Sequence, residues 1–333
     1  MTHDQFEVLS NQAVAVCAFF YFVAVVLHVA EWAFARSVQP ARVAVGPDGS
    51  PIAEPAPAGA GVVAGRGEQL ARWGYVATVV AAGVHLVAVA SRGLAADPVR
   101  VPWGNMYEFT LTATLVVTLG YLILQRRLDL NWLSPIVTGF VLVTLMVDVL
   151  LLYTPVVPLR DALQSPWLVI HVVAAIIATG AFTLGGMCSV LYLLKARWLD
   201  RHPQGDPARG GYLAKLPGLE QLDRLAYRTQ AFAFPLWTFA ALIAGPIWAQ
   251  HAWGRYWGWD PKEIWAFITW VVYAAYLHAR ATAGWKGRQA AVIALIGLAT
   301  LWFNFVGINF FFGSGSQHSY AAGVVAAVSQ VHL

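Results

Sequence analysis

Apolar residues in this chain fall into long runs, not into the short alternating stripes of strands. A helix that crosses a bilayer needs about 20 mostly apolar residues. Eight runs reach that length, at residues 13–35, 70–91, 108–125, 133–153, 166–194, 229–250, 264–280 and 289–312. The pattern predicts an all-α, polytopic integral membrane bundle of about eight transmembrane helices, forming one membrane domain over 1–333. The fifth run is long enough to tilt or to project from the bilayer. Three polar segments punctuate the spans: a Pro/Gly/Ala-rich linker at 36–69, a basic loop at 195–228 and a Trp-rich loop at 251–263. Within the linker, Gly46–Gly67 holds four prolines and six glycines, a flexible composition. No repeat is visible along the chain. The first twelve residues carry Asp4 and Glu7 and no Lys or Arg, so Val14–Ala35 reads as a retained first span and not as a cleaved signal.

Composition narrows this picture. The chain is 59% hydrophobic and 11% charged, against about 45–50% and about 25% for a soluble globular domain. That disfavours a soluble enzyme or a disordered scaffold, and a net charge of +4 offers no polyanion-binding surface, so no nucleic acid is expected as a partner. Loop charge gives orientation. With the N-terminus outside, 15 basic residues fall in inner loops and five in outer ones, the bias expected of cytoplasmic loops. Both termini and the Trp-rich loop are then expected outside.

The candidate chemistry lies in the tryptophans and histidines. Five of the 15 tryptophans (Trp248, Trp253, Trp257, Trp259 and Trp265) crowd into 18 residues, interrupted by Gly254 and Gly258 and closed by Asp260–Pro261. An aromatic belt spreads its tryptophans over all helices at one depth. This crowding with glycines instead suits a platform for a flat ligand. Asp260 ahead of a proline also reads as a helix start. Cys17 and Cys188 lie in apolar runs and read as filler, and no C-x-x-C is present to hold a c-type haem covalently.

The stretch WGRYWGWDPKE, residues 253–263, resembles the WWD signature of the haem-handling membrane proteins of cytochrome c maturation. Within that superfamily the chain is most similar to the CcsA/ResC type, also called CcsB in some bacteria. PWGNMYEF (102–109), LQSPWLVIHV (163–172), YLHARATAGWKG (276–287) and GSGSQHSY (313–320) carry the likeness through most of the chain. The resemblance implies haem b as cargo, an apocytochrome c acceptor, a ResB-type membrane partner and a place in the bacterial cytoplasmic membrane. It also implies site residues. His171 and His318 match the family's outer pair of iron ligands, flanking the Trp loop. His278, about 21 Å along its span at 1.5 Å per residue, matches the transmembrane ligand whose second histidine comes from the partner. Trp253, Trp257, Trp259 and Asp260 match the haem platform. Arg255, with Lys262, Arg100, Asn105 and Glu108, is either a propionate contact or ordinary loop polarity.

Three further groups stay open. His28 either pairs with His278 or makes a helix contact. His85 and Asp148 are functional by default as ionisable groups within spans, or hydrogen-bond each other or Tyr and Thr neighbours. The expected function is that of a haem-handling subunit of a membrane cytochrome c synthase complex. It would receive haem across the membrane and present it outside for thioether attachment to CxxCH motifs. The alternatives are a haem transporter without attachment activity and a structural partner that docks through its Trp loop.

Overall fold

The computed structural model describes residues 1–36, 43–45, 51–53, 60–128, 130–158, 164–202 and 212–312. The main helices among the described residues are α1 (His3–Arg36), α2 (Ala60–Leu94), α3 (Met106–Leu128), α4 (Ser134–Val147), α5 (Pro166–Arg201), α6 (Leu219–Phe239), α7 (Gly245–Trp253), α8 (Pro261–Thr282), α9 (Arg288–Trp302) and α10 (Ile308–Phe311). Single π turns continue α4 at Asp148–Leu152, join α6 to α7 at Ala240–Ala244, and join α9 to α10 at Phe303–Gly307. Two three-residue strands, β1 (Val43–Val45) and β2 (Pro51–Ala53), pair antiparallel between α1 and α2. The fold is the all-α polytopic bundle that the apolar runs predict. Among the described residues, seven helical stretches are long and apolar enough to cross a membrane. The seventh expected span, 264–280, forms helix α8 as predicted, but Lys262, Glu263 and Arg280 at its ends and its tyrosines and tryptophans dilute its hydropathy, and it is not among those seven stretches. The linker is shorter than its composition suggests, because α2 already begins at Ala60. One glycine weakens a helix by only about 1 kcal/mol, and a 35-residue helix lying along α1 absorbs Gly61 and Gly65.

Helices α1 and α2 form an antiparallel hairpin along matching stripes. Ser10, Val14, Cys17, Tyr21, Ala24 and His28 face Gly74, Thr78, Ala81, His85, Ala88 and Arg92, all buried, at alternating spacings of four and three. Small residues bring the backbones close, as in other membrane helix pairs, and the polar members bond across the seam. Ser10 donates to the Ala88 carbonyl at 2.8 Å. The His85 Nε2–H donates to the Leu111 carbonyl at 2.9 Å, and its Nδ1 lies 3.2 Å from the Tyr21 hydroxyl. His28 packs on Gly74, where a Cβ would sit 2.7 Å from its ring.

Helix α5 joins two sub-bundles. On one side it meets α3, which packs on α2 and α4; on the other it meets α6 and α9, with α8 packed against both. The second core is built on Phe182, whose ring stacks on Tyr273 at 3.7 Å, with Tyr273 in turn filling the space above Gly297. A third, smaller cluster of Leu168, Val172, Ile176 and Trp248 lies at the N-terminal end of α5.

Candidate functional site

Above that third cluster is a cavity of about 180 Å³. Four segments wall it: the first turn of α3, the start of α5, the α6–α7 junction with the loop into α8, and the π turn after α9.

His171 sits on the second turn of α5, whose start is fixed by Pro166 in the first turn and by the Ser165 hydroxyl accepting from the Trp167 N–H. Its Nδ1 bonds the Ala240 carbonyl at 2.9 Å. A carbonyl only accepts, so Nδ1 carries the hydrogen and Nε2 carries the ring's lone pair. The acceptor is available in this direction because the helix opens into a π turn at Ala240, where the carbonyl takes the N–H of Gly245 instead of an α-helical partner. Such turns recur at functional sites. Gly245 is needed for the approach: a Cβ there would lie 3.2 Å from the His171 ring and 3.0 Å from the Ala240 oxygen. Trp248 lies parallel to the imidazole at 6.0 Å and meets Trp253 edge-on at 4.8 Å.

Helix α7 ends at Gly254 in the left-handed conformation, and the Trp loop follows. The tryptophans of the loop do not form one shelf. Trp248 is buried, Trp257 lines the cavity at right angles to Trp259, and Trp259 is 67% exposed with φ +57°. Trp265 has left the loop for α8, where it packs on Phe303. The loop is held by a capping box. Asp260 caps α8, while the Glu263 carboxylate reaches back to the N–H groups of Gly258 (2.8 Å) and Asp260 (3.0 Å). The Arg255 guanidinium lies over Gly258, 3.6 Å from Glu263. Lys262 lines the cavity beside Glu263. Burial pulls its ammonium down from 10.5 to about 8, opposed by the nearby Asp260 charge.

The facing wall repeats this construction. Asn105 caps α3 by accepting the Glu108 N–H at 2.8 Å, and Glu108 reaches back to the Gly104 N–H at 2.8 Å. Arg100 holds the glutamate at 2.6 Å, and the buried Arg92 lies 3.5 Å from it and 3.3 Å from Glu7. Trp103 lines one side of the cavity as Trp257 lines the other. The two glutamates are the residues whose part the sequence reading missed. Their signal was there: W-G-N-x-x-E at 103–108 and W-G-W-D-x-x-E at 257–263 are both capping-box patterns.

The remaining expected residues fall elsewhere. His318 lies outside the described residues. His278 is exposed on α8, on the same face as Ile264, Phe267 and Val271. His28 is not brought to it: α1 packs on α2 and α4, while α8 packs on α6 and α9. His85 is bound to Tyr21 and Leu111, not to Asp148, whose two buried carboxyl oxygens have no hydrogen-bond partner among the described residues. Among the described residues no cluster of three or more His, Cys, Asp or Glu could hold a bare metal ion. What the cavity can hold is a flat apolar ligand. Its walls are aromatic and aliphatic, an imidazole of fixed tautomer stands on one side, and hydrogen-bonding groups without partners among the described residues (Asn105 Nδ2, Trp257 Nε1, Asn304 Oδ1 and Asn309 Oδ1) line it.

Residues 103–314 match the family model described as cytochrome C assembly protein. The cytochrome c biogenesis protein CcsA of Guillardia theta is 35% identical over 261 residues, covering 74% of this chain and 85% of that one. The CcsA of a Synechococcus strain is 33% identical over 275 residues, covering 66% and 77%. In three dimensions the chain is similar to the cytochrome c haem lyase CcmF, with a TM-score of 0.62 at 15% identity. That likeness of fold covers 98% of this chain and 49% of that one, so the chain spans about half its length. The chain belongs to the cytochrome c assembly family, among its CcsA-type members.

Proposed function

We propose that this chain is the haem-handling subunit of a membrane cytochrome c synthase, holding haem b in the cavity under the Trp loop for transfer to apocytochrome c. Its membership of the family puts it in cytochrome c assembly. The observation that carries the finer reading is His171. Its Nδ1–H is committed to the Ala240 carbonyl, which orients Nε2 as a ligand for iron, the usual outer-shell arrangement of a metal-binding histidine. The parallel Trp248 ring and the apolar walls bury the face of a macrocycle.

His318 supplies the second outer ligand in this reading. His278 serves haem on its way through the membrane, with a histidine of a ResB-type partner docked on the exposed face of α8. The excess of basic residues in the alternate loops supports a Trp loop on the outer face, away from the cytoplasm. Thioether formation adds each acceptor S–H across a haem vinyl group. A C–S bond forms at one vinyl carbon, the thiol hydrogen goes to the other, and nothing is lost or oxidised. The chain's contribution is to hold the substrate still and oriented, which removes entropy from the barrier. Trp253, Trp257, Trp259 and Asp260 shape the loop that does this, and Arg255 braces it through Glu263.

The test is the absorption spectrum of the chain purified with its partner, for wild type and for His171→Ala with His318→Ala. Loss of haem, or a changed iron spectrum, is expected. Haem content and spectrum unchanged by the double substitution would sink the proposal. Apocytochrome that co-purifies with the complex separates attachment from transport alone.

A further inference from the structure

The sequence leaves Asn105 as either a propionate contact or ordinary loop polarity, and the geometry of its cavity wall bears on that choice. The first turn of α3 faces the cavity with Trp103, Asn105, Met106 and Phe109, and Asn105 is 8% exposed. Its amide orientation is fixed by its neighbours. Oδ1 accepts the Glu108 N–H as the helix cap, so Nδ2 is the end that remains, and it has no hydrogen-bond partner among the described residues. A buried N–H left unpaired is costly, and native structures pair nearly all of them. Nδ2 also stands at the positive end of a 23-residue helix, where an anion is favoured. Next to it Arg100 and Arg92 share the Glu108 carboxylate, so the corner holds no uncompensated negative charge from that side.

We propose that Asn105 is a substrate-binding residue, its Nδ2–H and the start of α3 forming a seat for a carboxylate of the porphyrin. The inference rests on the haem reading and adds to it the point that fixes the ring's rotation in its own plane. An imidazole on iron leaves the macrocycle free to turn about the Fe–N axis. A propionate seated at Asn105 stops that turn and sets which vinyl groups face the acceptor. Across the cavity the Trp257 Nε1–H, also without a hydrogen-bond partner among the described residues, is placed on the opposite wall to serve the same ligand.

The experiment compares haem with haem dimethyl ester, which has the same ring and iron but no ionised carboxylates, as ligands of the full chain purified with its partner. Asn105→Asp keeps a good cap oxygen and replaces the donor with an acceptor; Asn105→Gly keeps most of the cap preference and removes the side chain. Wild type is expected to take up haem about tenfold more tightly than the ester. Both variants are expected to lose that preference by weakening haem alone, leaving the ester unchanged. A wild type that does not discriminate, or an Asn105→Asp protein that still does, overturns the proposal. Equal loss of haem and ester in both variants also overturns it, because Asn105 then acts only through the helix start. A wild type that takes up neither ligand instead overturns the haem reading itself, and does so without any variant.

Discussion

At Gly245 the absence of one methyl group decides whether His171 reaches its acceptor. Adding a Cβ places it 3.2 Å from the ring and 3.0 Å from the Ala240 oxygen, with backbone on one side that cannot swing away. Overpacking of this kind costs about 1–3 kcal/mol. Gly245→Ala is expected to lower haem retention and alter the iron spectrum without reducing the amount of protein in the membrane, both read on the purified complex. Lys262 gives a second expectation at this scale. Its folded pKa, about 8, is below the ordinary 10.5, so the ammonium loses its charge as pH rises through about 8. Propionates are already ionised well below that pH, so within a lysine–propionate pair the lysine is the member that changes charge in this range. Haem retention should therefore fall between pH 7 and pH 9, and Lys262→Met should flatten that profile. A wild-type profile that is level over the same interval counts against a carboxylate near Lys262. These residue-scale features were only partly legible in the sequence. A lone histidine near a helix end reads as a candidate from its position, but its tautomer depends on a carbonyl 69 residues away. No periodicity announces that partner.

Among the elements, the α1–α2 hairpin was more legible than its parts. Its two runs of apolar residues are plain, and the alternating stripe of Ser10 to His28 against Gly74 to Arg92 can be read once the pairing is known. Without the pairing, His28 and His85 look like stray ionisable groups; within it they are rungs of the seam. Gly74→Ala is expected to push a Cβ to 2.7 Å from the His28 ring and to destabilise the hairpin by about 1–3 kcal/mol. Thermal unfolding in detergent measures this, and Gly83→Ala, where a Cβ meets nothing within 4 Å, is the matched control. The Trp loop taught the converse. Crowded tryptophans in sequence suggested one flat platform, yet the backbone turns between them at Gly254 and Trp259, so successive rings point to different surroundings. The part that holds the loop is Glu263, and Glu263→Gln, which loses the charge that pairs with Arg255, should loosen it by about 0.5–2 kcal/mol. Faster proteolysis between Gly254 and Pro261 would register that change.

The whole molecule was the most legible scale. Apolar run length alone predicts an all-α membrane bundle because water is absent from the bilayer core and only helices or closed barrels satisfy the backbone there. Hydropathy was least decisive at α8, the helix that both carries the capping box and presents His278, since functional polar groups dilute the signal that marks a span. Loop charge makes the orientation testable. Trp259 is 67% exposed and the Arg224 side chain 53% exposed, while both native cysteines are buried. Trp259→Cys is expected to react with a membrane-impermeant maleimide added outside intact cells, and Arg224→Cys only after permeabilisation. The reverse pattern would invert the topology and move the cavity to the cytoplasmic face.

The π turn at Ala240–Ala244 has a further consequence for how this protein tolerates changes in chain length. A π turn holds one more residue than the α turn it replaces, so the junction of α6 and α7 carries a residue that a regular helix would lack. Deleting Leu242 would let the stretch close into continuous α-helix with no break in the backbone. It would also return the Ala240 carbonyl to an α-helical partner, taking the acceptor away from the His171 Nδ1–H while the helix beyond stays in phase. A single-residue deletion within a regular span instead rotates everything beyond it by about 100°. This one is expected to give a well-folded, membrane-inserted protein of ordinary thermal stability whose His171 has lost its anchor, a form useful as the inactive partner in reconstitution.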